Sequence, residues 1–151
     1  MFRTCVIVTM AVLAATATAT AQPSIGKPFD LKVGESVTVG SQALIVGFGE
    51  MLNDGRCPLS LYCFWEGDAT AQMWTNLPGE SPQTFQLHTH RGLKWKFQYG
   101  AYDITLTRIS PYPVDQEPIP DGIYVATVQV DGGPAPAEIS TWGRIKALYR
   151  P

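Results

Sequence analysis

Apolar and polar residues alternate with a period of two along most of this chain, and this pattern restricts its fold more than any other feature. Phe29, Leu31 and Val33 are separated by charged residues, and the same period recurs over 69–77 and 102–106. Such alternation is typical of half-buried β-strands. The 12 prolines and 14 glycines supply frequent turns and disfavour long helices. The sequence therefore predicts an all-β fold, an antiparallel β-sandwich or partly open barrel of about seven to eight strands.

Two stretches allow more detailed predictions. The apolar run over 43–52 predicts a long central strand in which Gly47 and Gly49 are candidate β-bulges. The segment 85–99 predicts a β-hairpin that turns at 91–92 and has an aromatic inner face and a basic outer face. The inner face of its second half would hold Leu93, Trp95, Phe97 and Tyr99.

The N-terminus predicts export. Arg3 supplies a positive charge, an apolar run covers 5–15, and Ala19-Thr20-Ala21 offers the small residues that a signal peptidase accepts. These three features are typical of a secretory signal peptide, here 1–21. The apolar run is shorter than the ~20 residues that a membrane-spanning helix needs. We therefore expect a soluble mature chain that begins at Gln22 and resides in the periplasm or outside the cell.

The mature chain, 22–151, predicts a single β-domain, because about 130 residues are enough for one buried core. The segment 110–122 contains four prolines and predicts an irregular loop. A linker-like break follows at 131–138, where glycine, proline and alanine dominate. Beyond it, 139–149 fits either one short helix or a final strand, and Gly143 weakens the helix.

The charge balance excludes some partners. The chain has 11 basic and 13 acidic residues, and only Arg3 leaves with the signal peptide, so the mature net charge is about −3. A weakly acidic chain without basic clusters is not expected to bind nucleic acid or anionic lipid as its main partner. No second apolar span follows the signal peptide, so no transmembrane segment is expected.

The densest group of informative residues lies between 54 and 69. Cys5 leaves with the signal peptide, and the remaining Cys57 and Cys63 are expected to form a disulfide bond in an oxidising compartment. Asp54 and Arg56 are two residues apart and can form a charge-assisted hydrogen bond. Three more structural roles are predicted: Pro58 restrains the disulfide ring, Trp65 covers the bridge, and Gly67 permits a close turn.

A longer motif includes these residues. Asp54-x-Arg56-Cys57-Pro58, followed by Cys63-x-Trp65-x-Gly67-x-Ala69, resembles the signature of a family of small exported bacterial proteins and lipoproteins of unknown function. Tyr102-x-Ile104-x-Leu106 and Pro111-Tyr112-Pro113 are similar to the second half of that family. The resemblance covers roughly 29–130 and implies an exported β-rich domain, with no activity to transfer. Unlike the lipoprotein members, this chain has no lipid-attachment cysteine at its cleavage site.

Two histidines are the strongest candidates for metal binding. His88 and His90 would share one face of a strand, and with Cys57 and Cys63 they would supply two nitrogen and two sulfur ligands for zinc. An oxidising compartment favours the disulfide bond instead, and exposed histidines on a strand require no ligand. We therefore prefer a disulfide bond and exposed histidines that bind no metal, and we expect no cofactor.

Other catalytic patterns find less support in the sequence. It contains no Gly-x-Ser-x-Gly, His-Glu-x-x-His or phosphate-binding glycine loop. Asp115, Glu117 and Asp121 offer oxygen ligands for calcium, but their spacing differs from that of an EF-hand loop. Solvated loop carboxylates are the preferred interpretation, and no catalytic residue is predicted.

These observations favour a non-enzymatic module that binds a protein, small-molecule or carbohydrate ligand, or that accompanies the envelope. Its contact surface would include Leu59, Leu61 and Tyr62 at the rim of the disulfide ring, and Trp74 on the polar side of its strand. The alternative is a metal-dependent or hydrolytic periplasmic enzyme that uses His88 and His90.

Overall fold

The computed structural model describes residues 22–133, in which the alternating segments form eight β-strands and one short 3-10 helix. The predicted signal peptide and the segment 139–151 lie outside the described residues. No helix within the described part of the chain is long and apolar enough to cross a membrane. The strands are β1 Pro28–Lys32, β2 Ser36–Val39, β3 Leu44–Asp54, β4 Ala69–Asn76, β5 Gln83–His88, β6 Lys96–Tyr99, β7 Tyr102–Ser110 and β8 Val125–Gly132, and the 3-10 helix is Asp121–Ile123.

The strands form two antiparallel sheets of four strands each, and the predicted β-sandwich is confirmed. One sheet has the order β1-β8-β7-β6 and the other has the order β2-β3-β4-β5. The inward side chains of both sheets share one core, in which Phe48, Leu87, Ile104 and Val128 are fully buried. The outward positions of the same strands are polar, which is the burial that a period of two dictates.

The central strand β3 pairs with β4 along its length and contains two β-bulges. One bulge falls at Gly49, where the register shifts between Phe48 and Glu50. Gly47, the other predicted bulge position, pairs regularly with Trp74. A side chain on Gly47 would collide with the indole of Trp74. Because Gly47 has no side chain, the indole of Trp74 can pack over it. Trp74 lies half-buried on the outer face of the sheet.

The predicted hairpin over 85–99 is wrong. β5 pairs with β4 and β6 pairs with β7, so the two strands belong to different sheets. The residues between them form a loop on which the Arg91 guanidinium lies 4.3 Å from the centroid of the Trp95 ring. Phe85 and Phe97 stack with their ring centroids 3.9 Å apart. The aromatic alternation thus reflects packing between two sheets, which has the same period as pairing within one sheet.

Candidate functional site

The chain between β3 and β4, residues 54–68, forms a loop that we call the clasp loop. Arg56 anchors its start in the protein interior, where the side chain is 5% exposed and that of Asp54 is 11% exposed. Arg56 Nε donates to Asp54 Oδ1 at 2.7 Å, and Nη2 donates to Oδ2 at 2.6 Å. The expected pair is present as a bidentate contact, the strongest form of this interaction.

The same guanidinium ties the clasp loop to the end of β7. Arg56 Nη1 donates to the Ile109 carbonyl at 2.7 Å, and Nη2 donates to the Pro111 carbonyl at 2.8 Å. The ring of Tyr112 lies over the guanidinium, with its centroid 4.9 Å away. Because these partners surround a buried charge, they offset the cost of removing it from water.

The carboxylate of Asp54 receives a further hydrogen bond, which Tyr124 Oη donates at 3.0 Å. Burial by itself would raise the pKa of Asp54, but the hydrogen bonds and charge of Arg56 outweigh it and lower the pKa below 3.8. Burial and the adjacent Asp54 carboxylate raise the pKa of Tyr124 to about 12. At neutral pH this cluster is therefore a fixed polar anchor, with Asp54 ionised and Tyr124 neutral.

Two backbone hydrogen bonds join the arms of the clasp loop at its base. The Gly55 N–H donates to the Asp68 carbonyl at 2.8 Å, and the Cys57 N–H donates to the Glu66 carbonyl at 2.9 Å. Gly67 lies between them with φ +77°, a left-handed conformation that favours glycine. A side chain on Gly67 would also collide with the Gly55 carbonyl. The predicted close turn at Gly67 is thus required by both conformation and space.

The predicted disulfide bond between Cys57 and Cys63 closes the outer part of the clasp loop. Inside the ring, the Leu61 N–H donates to the Pro58 carbonyl at 3.1 Å and forms a turn. Proline fixes its own φ, so Pro58 and the bridge restrain the same short stretch of backbone.

The Pro-rich segment 110–122 supports the ring from outside. The Leu59 N–H donates to the Pro113 carbonyl at 3.1 Å, and the Ser60 N–H donates to the Val114 carbonyl at 2.9 Å. These two bonds hold the ring against the neighbouring segment. The ring is consequently restrained at its base, across its width and along one side.

Large apolar side chains project from this restrained loop. Tyr62 and Phe64 are as exposed as in an isolated peptide, at 108% and 106%. Their neighbours on the ring are exposed as well, and Val114 extends the patch onto the Pro-rich segment. We call this patch the tip surface; it consists of Leu59, Leu61, Tyr62, Phe64, Trp65 and Val114.

Trp65 was predicted to cover the disulfide bridge, and its side chain is 56% exposed. Its ring meets the edge of His90, with centroids 5.7 Å apart and planes at 67°. Period-two reasoning assumed an extended strand beyond Cys63, whereas the chain bends there. Leu59, Leu61 and Tyr62 are exposed on the ring, as the sequence suggested, whereas Trp74 belongs to a different face.

A second polar cluster centres on Asp68, which is buried at the end of the clasp loop. Its Oδ2 lies 2.6 Å from His88 Nδ1, and its Oδ1 accepts from Thr89 Oγ1 at 3.2 Å and from the His90 N–H at 2.9 Å. Burial acts to raise the pKa of Asp68, yet the contacts with His88 and His90 lower it below 3.8. Asp68 is therefore an ionised anchor for the chain that follows β5.

The two histidines do not converge on one point. Thr70 Oγ1 approaches the same His88 Nδ1 that Asp68 contacts, at 3.2 Å. His90 Nδ1 accepts from the Gly92 N–H at 3.1 Å, and His90 Nε2 lies 3.4 Å from Glu66 Oε1. Each histidine thus has its own carboxylate partner, and the disulfide bond removes the cysteines from the zinc ligand set considered above.

Asp115, Glu117 and Asp121 lie on the surface of the Pro-rich segment and its 3-10 helix. Asp115 Oδ1 accepts from the Glu117 N–H at 3.0 Å, a local turn contact. Within residues 22–133, no group of three or more histidine, cysteine or acidic side chains is placed to hold a metal ion.

A cleft of about 190 Å³ lies between the base of the clasp loop and β7. Thr107 and Arg108 both face it, because a β-bulge in β7 breaks the alternation between Leu106 and Arg108. His90 and Glu66 line the opposite side. The lining of the cleft is about equally polar and apolar. Its volume is that of about six water molecules, small for an organic ligand.

Comparison with protein-family models, with curated proteins and with solved structures finds no match to this chain. The family resemblance of the cysteine motif thus stays a prediction.

Sequence reasoning missed several residues that the structure places at this site. Phe64 has no predicted role in the sequence analysis, although its position directly after Cys63 is a signal that it lies beside the ring. Val114 and Tyr112 come from a segment more than forty residues away. Only the fold reveals that they adjoin the clasp loop. Asp68 has no recognisable sequence pattern, because its partners Thr70, His88, Thr89 and His90 come together only where β4 pairs with β5 and the residues that follow it.

Proposed function

We propose that this protein is an exported, non-enzymatic β-sandwich module that binds a partner through the tip surface. The observation that carries the proposal is the full exposure of Tyr62 and Phe64 on a loop anchored by a buried ion pair. Contiguous exposed apolar side chains are a feature of interaction sites. Aromatic residues are also the most enriched residues at the energetic centres of protein interfaces.

The restraint of the clasp loop supports a binding role. The disulfide bond, the Arg56 hydrogen bonds and the contacts with Pro113 and Val114 all limit its backbone. A loop that is already ordered loses less conformational entropy when a partner binds. These polar restraints also keep the apolar side chains of the ring from collapsing onto the core.

The position of Thr70 beside His88 does not suit the nucleophile of a hydrolytic relay. In a Ser-His-Asp relay the carboxylate and the hydroxyl nucleophile contact opposite nitrogens of the imidazole. Asp68 and Thr70 both contact Nδ1 of His88. This arrangement is suited to holding the ring in place, and Thr70 would gain no activation from it.

The disulfide bond also supports export, because structural disulfides persist in oxidising compartments. We expect exported protein to begin at Gln22, after cleavage behind Ala21. Intact mass spectrometry of the exported protein tests this expectation. A mature chain that still begins at Met1 would contradict it.

Site-specific photocrosslinking tests the binding role. A photoreactive phenylalanine analogue replaces Tyr62 in cells that export the protein, and a matched variant carries the analogue at Gln98, an exposed position on β6. We expect a discrete covalent adduct at position 62 and none at position 98. Added unlabelled protein should compete for the adduct.

A double variant, Tyr62→Ser with Phe64→Ser, provides the second control. It should fold like the parent, as judged by far-UV circular dichroism and thermal unfolding, but it should fail to compete for the adduct. Equal competition by this variant, or equal crosslinking at Gln98, would refute the proposed function.

A further inference from the structure

The exposed charges on the two segments that form the tip surface all have one sign. The segments 57–68 and 110–123 contain no lysine or arginine. Glu66 directly follows Trp65, and Asp115 directly follows Val114, so carboxylates adjoin the patch on both of its segments. The exposed carboxylates that lie closest in sequence to residues of the patch are those of Glu66, Asp115 and Glu117, which we call the acidic rim.

The basic residues of the described chain lie elsewhere. Lys27 and Lys32 are at β1, Arg91 and Lys94 are in the loop before β6, and Lys96 pairs with Asp103 at 3.1 Å. Arg108 lies on β7 and lines the same cleft as Glu66, and Arg91 directly follows His90, whose ring contacts Trp65. The distribution therefore gives the tip surface an apolar centre and a negative border, although the whole chain is only weakly acidic.

This border discriminates between the two partners that an aromatic tip could have. Inserting Trp65 into a bilayer would carry Glu66 towards the headgroup region, where removing a carboxylate from water is costly. Anionic leaflets would also repel the acidic rim, and the patch lacks the lysines and arginines that strengthen membrane binding. A protein pocket can instead supply compensating positive charge at fixed positions.

We infer that the tip surface binds a protein whose apolar pocket is bordered by lysine or arginine side chains. This inference rests on the proposed function and names its partner class. Tyr62 and Phe64 fill the pocket and determine how long the complex lasts. The acidic rim steers association and determines how fast the complex forms.

The protein crosslinked at position 62 is the probe for this test. After identification by mass spectrometry and purification, its association with the parent chain is measured at ionic strengths of about 0.05 M and 0.5 M, which strongly change charge screening. We expect the association rate to fall on the order of tenfold at the higher ionic strength. Capture of a protein alone does not support the inference.

A rim variant with Glu66→Gln, Asp115→Asn and Glu117→Gln should associate on the order of tenfold more slowly at low salt and lose most of its salt dependence. Its matched control carries Asp30→Asn, Glu50→Gln and Asp103→Asn, the same change in net charge at distant strands, and should associate like the parent. The Tyr62→Ser, Phe64→Ser variant should dissociate faster and keep its salt dependence.

These outcomes separate the inference from the proposed function. If the rim variant associates like the parent while the Tyr62→Ser, Phe64→Ser variant loses binding, the inference is refuted and the proposed function stands. If neither variant changes binding, both are refuted. Flotation with vesicles of phosphatidylcholine, or of phosphatidylcholine with phosphatidylglycerol, should leave the protein unbound. Binding to either kind of vesicle that depends on Tyr62 and Phe64, or crosslinking to lipid alone, would overturn the inference in favour of a membrane.

Discussion

The base and the tip of the clasp loop reverse the usual distribution of residue types. At the base, the charged side chain of Arg56 is 5% exposed and reaches a carbonyl of a distant strand. At the tip, six residues further along the chain, the aromatic side chain of Tyr62 is fully exposed. The polar residue is inside and the apolar residue is outside, on one short loop.

This difference indicates what each end contributes. A loop of this size has too few residues to build an apolar core that would fix its conformation, so hydrogen bonds and a covalent bridge hold it. Its apolar side chains then remain available for contact. Substitutions at the base should therefore change the free energy of unfolding, whereas substitutions at the tip should change binding alone.

The largest loss of stability is expected for Arg56→Ala. The substitution leaves the Asp54 carboxylate and the Ile109 and Pro111 carbonyls without their donor. Breaking a buried pair in this way typically costs about 3–5 kcal/mol. Urea denaturation followed by tryptophan fluorescence measures the loss.

Two controls sharpen this prediction. Arg56→Lys keeps the charge but not the bidentate fork, so it should recover only part of the loss. Arg108→Ala removes an exposed arginine on β7 and should change stability by less than about 0.5 kcal/mol. An Arg56→Ala protein as stable as Arg108→Ala would show that the base does not hold the loop.

The next largest effect is expected for Gly67→Ala. An alanine there must adopt a left-handed φ and would collide with the Gly55 carbonyl, so a cost of about 2–4 kcal/mol is expected. Gly79→Ala is the matched control, because Gly79 has φ +86° but no atom within 4 Å of the added group. Gly79→Ala should cost only about 1 kcal/mol, because alanine there adopts an unfavourable left-handed backbone conformation but collides with nothing. Equal losses for both variants would show that close approach at Gly67 is unimportant.

Replacement of Cys57 and Cys63 by serine should cost about 2 kcal/mol, the chain-entropy value for a ring of this size. The loss should be smaller than for Arg56→Ala, because the hydrogen bonds at the base remain. Mass spectrometry under non-reducing conditions should find no free thiol in the mature parent protein. If the Cys57→Ser, Cys63→Ser variant were as stable as the parent, the bridge would contribute nothing to stability and would act only on the conformation of the tip surface.

The sequence was sufficient for the fold class because the strands obey simple alternation. Phe29 and Leu31 in β1, or Met73 in β4, occupy faces that a period of two already assigns. The disulfide bond and the Asp54–Arg56 pair were also predictable, since their members are close in sequence. Local patterns predict local contacts well.

The wrong predictions concern residues whose surroundings are determined by segments that are distant in sequence. Phe97 alternates as a hairpin strand would, but its stacking partner Phe85 is in the other sheet. Trp65 was placed on the side of the bridge because it follows Cys63 by two residues, but the chain bends before β4. A single sequence does not show that the chain passes from one sheet to the other between β5 and β6, or that the ring contacts Pro113.

A smaller and graded effect is expected from pH. The folded protein lowers the pKa of Asp54 and Asp68 below 3.8, so both stabilise the fold above that pH. Stability should therefore decrease as the pH falls from about 5 through 3.8 and on through the lower folded values. At the alkaline end, the raised pKa of Tyr124 should make stability decrease between pH 10 and about 12.

Urea denaturation at a series of pH values measures this dependence. Asp68→Asn should be less stable than the parent at neutral pH but should lose less stability on acidification. Asp30→Asn, at an exposed carboxylate of β1, is the control and should follow the parental profile. Constant stability of the parent between pH 5 and pH 3 would contradict the assignment of Asp54 and Asp68 as ionised anchors.

The smallest effect is expected for Trp65→Ala, and it tests the boundary between base and tip. A buried tryptophan would cost about 3–5 kcal/mol on truncation, but this indole is half-exposed and its described aromatic contact is one edge of His90. We expect a loss below about 1 kcal/mol. Phe85→Ala, which removes a buried ring stacked on Phe97, should cost about 3–5 kcal/mol in the same urea assay. If Trp65→Ala instead approached the cost of Phe85→Ala, Trp65 would be part of the core in solution. The tip surface would then end at Phe64, and the contact with a partner would depend on the disulfide ring and Val114 alone.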